Sequence, residues 1–201
     1  MSDFTYQNQD SSVPLERYEW DRTWLERTEN VSSPRVLYVG DSISWGIRPE
    51  AQKILGSEIL IDALATSKAL DNPWFLPTLD LLLRQGRAPG MILVNNGLHG
   101  WHLEDEREYA DLLKGFLLEL KKRIPRCILL LTTGVEDLAR NQRVILRNQA
   151  ARAVAAALEC PVVDLYTPAI SCRHTDGVHF DVAGYRALAQ VLVTELRALE
   201  L

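Results

Sequence analysis

From Pro34 onward, short apolar runs alternate with longer amphipathic stretches. The runs cover residues 35–39, 58–62, 91–95, 127–132 and 162–165, and are rich in Val, Ile and Leu. Apolar side chains at successive positions, rather than at every second one, predict strands buried on both faces. Between the runs, Tyr109, Leu112, Leu113, Phe116, Leu117 and Leu120 recur three and four residues apart, with Glu, Asp and Lys opposite. Tyr185, Leu188, Ala189, Leu192 and Leu196 repeat that spacing near the end of the chain. Both stretches predict helices with one buried stripe. The alternation predicts an α/β fold: a three-layer α/β/α sandwich around a five-stranded parallel sheet, flavodoxin-like in outline. Ligands of such sheets bind beyond the carboxyl ends of the strands, near the switch point. The residues that follow each run are therefore the ones to read for chemistry.

The first thirty residues break the pattern. Residues 1 to about 15 are polar and read as a loose arm. Leu15, Tyr18, Trp24 and Leu25 partly follow helical spacing, which predicts a short helical extension that buries its aromatics across the domain. The expected organisation is an arm and extension over 1–30 and a single α/β domain over 31–201. The aromatic extension is also a candidate surface for homo-oligomer formation.

Composition narrows the function. The 201 residues are 47% hydrophobic and 24% charged, close to an average globular protein. The net charge is −5, and the basic residues cluster only at Lys121-Lys122-Arg123, which argues against a nucleic-acid partner. No apolar run approaches the roughly 20 residues that span a bilayer, so no membrane partner is expected. Residues 1–12 hold no apolar stretch of signal-peptide type, so a cytoplasmic location is expected. Cys127, Cys160 and Cys172 make an odd count without a Cys-x-x-Cys pair, which fits neither a disulfide framework nor a zinc knuckle. No cofactor is called for.

Two turns carry chemistry. Gly40-Asp41-Ser42-Ile43-Ser44-Trp45-Gly46 follows the first run. Gly40 permits a tight turn, and Ser42 then opens a helix, with its hydroxyl and its backbone N–H pointing beyond the sheet. Asp41 and Ser42 also suit a helix cap, and the heptapeptide alone does not separate a cap from a nucleophile. Asp176-Gly177-Val178-His179-Phe180 follows the fifth run, with Asp181 as the expected cap of the last helix. An Asp three residues before a His on one turn can fix the imidazole tautomer and leave the other ring nitrogen to accept a hydroxyl proton. Alone, that turn would be a surface feature. Together, the two fall at strand ends that converge on one cleft.

With these blocks in this order, the sequence resembles the SGNH hydrolases, also called GDSL esterases, from about residue 34 to 200. The resemblance rests on GDSIS (40–44) and DGVHF (176–180). It implies Ser42 as nucleophile, His179 as base and Asp176 as orienting acid, acting on a small-molecule ester without metal or cofactor. The family's third block, usually Gly-x-Asn-Asp, corresponds here to Asn95-Asn96-Gly97-Leu98-His99-Gly100. Asn95 is the favoured side-chain oxyanion donor and Asn96 the alternative. The second block usually supplies a Gly N–H. Here it reads Asp62-Ala63-Leu64-Ala65-Thr66-Ser67-Lys68, and the role falls to an N–H between Ala65 and Ser67, with Ser67 named. The Ser42 N–H would complete the hole. Asp41 and His99 are expected to wall the substrate pocket. His99, His102 and Glu104 have metal-like spacing but no further ligand nearby.

The expected activity is hydrolysis of short acyl esters, foremost acetyl, with carbohydrate esters among them, through an acyl-enzyme. The first rival is a thiol hydrolase using Cys172, two residues before His174. The second is a non-catalytic carbohydrate or small-ligand binder, a decayed esterase. Trp74 and Phe75 are read as core packing in preference to pocket walls, and Arg140, Asn141, Arg143, Arg147 and Asn148 as a solvated helix face.

Overall fold

The computed structural model describes residues 14–199. The arm expected over the first residues lies outside them as far as residue 13, as do residues 200–201. The elements in chain order are β1 (Asp21–Trp24), β2 (Arg35–Gly40), α1 (Ser42–Leu55), β3 (Leu60–Thr66), α2 (Phe75–Gln85), β4 (Met91–Val94), α3 (Glu106–Arg123), β5 (Cys127–Leu130), α4 (Leu138–Ala157), β6 (Val162–Val163), α5 (Tyr166–Ala169) and α6 (Val182–Ala198). The sheet order is β1-β3-β2-β4-β5-β6. Five strands are parallel, as the alternating pattern predicts, and helices cover both faces. Strand alternation divides the core into two layers. Val36 and Tyr38 of β2 face α1 and α6, whereas Leu37 and Val39 face α2 and α3. Chain order reverses at β2, with β3 on one side and β4 on the other, so the switch point lies where β2 hands over to Ser42.

The sheet has six strands, not five, and the extension is a strand rather than a helix. β1 pairs antiparallel with the outer edge of β3, Asp21 opposite Thr66 and Trp24 opposite Ala63. An uncovered β3 would leave a row of backbone donors and acceptors open, and that demand overrides the weak helical spacing of Leu15, Tyr18 and Leu25. The aromatics expected to be buried are partly outside: Tyr18 is 70% and Trp24 46% exposed. A buried ion pair fixes the segment that follows. Arg35 Nη1 donates to Asp62 Oδ1 at 2.7 Å, the same oxygen accepts the Glu26 N–H at 2.8 Å, and Arg35 Nη2 donates to the Arg27 carbonyl at 2.8 Å.

The loops after β4 and β5 rest on α4, where Arg140 is exposed as read from the sequence but Arg147 and Asn148 are buried beside Val144 and Ala151 rather than solvated. Arg147 is 1% exposed. Its guanidinium donates to the carbonyls of Gly97 (3.1 Å), His99 (2.7 Å), Gly100 (2.7 Å) and Leu103 (3.1 Å). The group also lies 4.9 Å from the Trp101 ring centroid and 4.8 Å from that of Tyr109. Arg143 adds donors to the Trp101 and Leu103 carbonyls. Asn148 pairs both ways with the Thr132 backbone, accepting its N–H at 2.9 Å and donating to its carbonyl at 2.8 Å. Helical periodicity could not reveal this face, because its partners are loop carbonyls that must be satisfied once buried.

Arg147→Met should therefore cost about 3 kcal/mol or more, since several charge-assisted bonds to buried carbonyls go at once. Arg147→Lys should recover only part of the loss, because one ammonium cannot reproduce the planar fork. Urea midpoints of the two variants check both statements.

Candidate active site

Ser42 is placed by its neighbours. Asp41 caps α1, its Oδ1 accepting the N–H of Ile43 at 2.8 Å and of Ser44 at 3.3 Å, while the Ser44 hydroxyl donates to the Asp41 carbonyl at 2.6 Å. A Cβ on residue 40 would sit 2.7 Å from the Ser44 side chain, so the strand-to-helix turn requires Gly40. Ser42 is the first residue of α1, where the backbone N–H groups lack intrahelical acceptors and the helix dipole favours negative charge.

The opposing turn is a small hairpin. His174 and Phe180 bridge antiparallel, Thr175 N–H donates to the His179 carbonyl at 2.7 Å, and Asp181 N–H donates to the Arg173 carbonyl at 3.0 Å. Within it, Asp176 Oδ1 accepts the N–H groups of His179 (2.8 Å) and Val178 (3.1 Å). Gly177, at φ +84°, allows the tight reversal. Asp176 Oδ2 lies 2.8 Å from His179 Nδ1, and His179 Nε2 lies 2.8 Å from Ser42 Oγ. A carboxylate only accepts, so Nδ1 carries the proton and Nε2 accepts from the serine hydroxyl. The His179 backbone N–H and then its ring N–H hold the Asp176 carboxyl down at about 2.

These three side chains open into a cavity of about 710 Å³. Trp20, Trp45, Leu98, Val178 and Tyr185 supply its apolar wall, and Asp21, Arg22 and His99 its polar one. Tyr185 approaches because residue 46 is Gly: a Cβ there would overlap its ring.

His99 faces this cavity. Its Nδ1 lies 3.0 Å from both oxygens of Glu16, which also accepts the Gly100 N–H at 3.2 Å. Burial lowers the His99 pKa, but the Glu16 hydrogen bond and the charges of Asp41, Glu16 and Glu19 outweigh it, and the net shift is upward. Glu16 moves the other way: burial raises it, the His99 bond and charge dominate, and its pKa falls.

Other expected positions differ. Asp41 is 1% exposed and works as a cap behind the cavity, not as its wall. Ser67 cannot supply the second N–H, because β3 runs through Thr66 and the Ser67 N–H donates to the Trp20 carbonyl at 3.1 Å. Asn95 spends both amide hydrogens on the Leu130 carbonyl (3.0 Å) and Thr132 Oγ1 (3.1 Å), tying β4 to β5. Asn96 donates once, to the Lys68 carbonyl at 2.9 Å, and keeps a second N–H. His102 bonds Asp71 at 2.8 Å and is half-buried. Phe75 packs against Phe116 in the core as read from the sequence, whereas Trp74, read the same way, is exposed. Cys172 lies against the Pro168 and Gly184 carbonyls, away from the cavity, and burial raises its pKa. Among the described residues, no cluster of three or more His, Cys, Asp or Glu could hold a metal ion, and no helix is long and apolar enough to cross a membrane.

The architecture has known counterparts. A lipase/acylhydrolase from Enterococcus faecalis superposes with a TM-score of 0.67 at 18% identity, covering 83% of this chain and 96% of that one. The native aryl esterase of M. smegmatis gives 0.65 at 18%, covering 83% and 100%. A carbohydrate acetylesterase family member from Sinorhizobium meliloti gives 0.65 at 18%, covering 83% and 98%. The fold is that of the SGNH hydrolases. No protein-family model matches the chain, and no curated protein sequence matches it. On the SGNH framework, sequence reasoning missed Glu16, Trp20, Arg22, Trp45 and Tyr185. A period-two reading of Trp20, Arg22 and Trp24 would have pointed to a strand; Glu16 carries no sequence signal.

The Glu16–His99 tie has a defined pH window. A raised histidine pKa contributes stability in full below its ordinary value of 6.5 and loses it as pH rises through the folded value. A lowered glutamate contributes above its ordinary 4.5 and loses it as pH falls through the folded value. The tie is thus strongest between those two pH values. Glu16→Gln removes the nearest counter-charge and leaves burial dominant, so the His99 titration midpoint should fall; imidazole NMR across a pH series measures it.

Proposed function

We propose that this chain is a serine esterase acting on short acyl esters, foremost acetyl esters, through an acyl-enzyme. The observation that carries the reading is the continuous hydrogen-bonded chain from Asp176 through His179 to Ser42, open to a cavity at the switch point. Ser42 Oγ attacks the acyl carbon while His179 Nε2 takes its proton, and the adjacent carboxylate of Asp176 stabilises the imidazolium. The oxyanion is held by the Ser42 N–H at the start of α1 and by the free N–H of Asn96, in place of Asn95 and Ser67. His179 returns the proton to the leaving alcohol, and water then releases the acyl group by the same route. Solved proteins of this fold described as an acetyl xylan esterase and a carbohydrate acetylesterase family member support acetyl esters, including those on sugars, as the substrate class. Three free thiols suit a reducing, cytoplasmic setting.

Ser42→Ala and His179→Ala should each lower kcat/KM for 4-nitrophenyl acetate by about 10⁴-fold or more. A fluorophosphonate probe should label Ser42 in the native protein and not in His179→Ala. Labelling that is absent or independent of His179 would instead make the fold a non-catalytic binder. In a chain-length series, acetate esters should turn over faster than octanoate esters.

A further inference from the structure

We propose that Arg22 makes the cavity selective for esters whose alcohol carries an anionic group, a carboxylate or a phosphate. The inference rests on the esterase reading with acetyl as the acyl group: acetyl has no ionisable group, which places the anion on the alcohol.

Arg22 stands at the cavity rim on β1, opposite Ala65 of β3. Strand alternation places it on the same face as Trp20 and Trp24, and Trp45 and Arg48 of α1 meet that face. Rings and guanidiniums interleave. Arg22 Cζ lies 5.8 Å from the Trp20 centroid and 5.8 Å from that of Trp45, while Arg48 lies 4.9 Å from Trp24 and 5.8 Å from Trp45. The two arginines have different fates. Arg48 is buried and committed to Glu26 Oε2 at 3.0 Å. Arg22 is exposed and has neither an ion pair nor a hydrogen bond from its side chain among the described residues.

The acidic groups nearby are engaged elsewhere, and Asp41 is buried as the cap of α1. Asp21 pairs with Lys68, Glu16 with His99 and Asp176 with His179, and Glu19 accepts the Ser67 hydroxyl. Arg22 is the only Arg or Lys among the described residues lining the cavity. Contact with two rings restricts its rotamers at little cost, since a guanidinium is attracted to aromatic faces. Its N–H edge stays free for two parallel bonds to a carboxylate or phosphate.

The test compares kcat/KM for 4-acetoxybenzoate and 4-acetoxyphenyl phosphate with that for the neutral methyl 4-acetoxybenzoate. Arg22→Gln should lower the anionic-to-neutral ratio about tenfold or more, through KM, by removing a charge-assisted contact. Arg22→Lys should restore part of it, and high salt should shrink the native preference. The anion that suffers the larger loss identifies the favoured group. An unchanged ratio in Arg22→Gln overturns the proposal while leaving the esterase reading intact. If the native protein hydrolyses none of the three, the esterase reading fails separately. Quenching of Trp20 and Trp45 fluorescence by 4-hydroxybenzoate then decides: saturable quenching lost in Arg22→Gln supports the anion site, and its absence overturns it.

Discussion

The 2.8 Å hydrogen bond between Ser42 and His179 joins positions 137 residues apart, and the rest of the site depends on it. Without it, Asp176 and His179 would be a half-exposed pair on a surface turn, with side chains 56% and 39% accessible. With it, the pair faces a hydroxyl at a helix N-terminus, where nearby negative charge is favoured. Two features deliver the contact. The parallel sheet sends β2 and the loops from β4 and β5 to one edge, and α1 packs against α6 closely enough for Tyr185 to cover Gly46. Phe180, next to His179 in sequence, is anchored in the core between the His174 and Tyr185 rings.

Stacking loops at a strand edge buries their carbonyls, and buried carbonyls need donors. Arg147, Arg143 and Asn148 meet that need from α4, while Asn95 meets it across the gap between β4 and β5. The same bonds explain why Asn95 is unsuited to bind an oxyanion: both of its N–H groups already hold the scaffold. Loop rigidity and donor availability thus draw on one set of atoms, and Asn96 keeps a spare hydrogen because its other contact is single.

The segment before β2 turns a sheet edge into a site wall. By pairing with β3, β1 removes an open edge and takes the Ser67 N–H out of play. It also brings Glu16 to His99 and sets Trp20 and Arg22 over the cavity. The SGNH architecture is therefore supplemented here by residues that precede its first parallel strand.

Local pattern alone reached a good part of this. The all-apolar runs specified buried parallel strands because both faces of such strands pack against helices. The Gly40-to-Ser44 turn and Asp176-x-x-His179 were readable because their geometry is set within five residues, by a cap and by an Asx turn. The roles of Asn95, Ser67, Asp41 and Arg147 were not readable. Whether an amide, a hydroxyl or a guanidinium faces substrate or scaffold depends on which unsatisfied backbone group lies beside it, and that is fixed only when distant segments pack. The edge strand β1 was decided largely in the same way: the period-two spacing of Trp20, Arg22 and Trp24 permits a strand, and the open hydrogen-bonding groups of β3 select it.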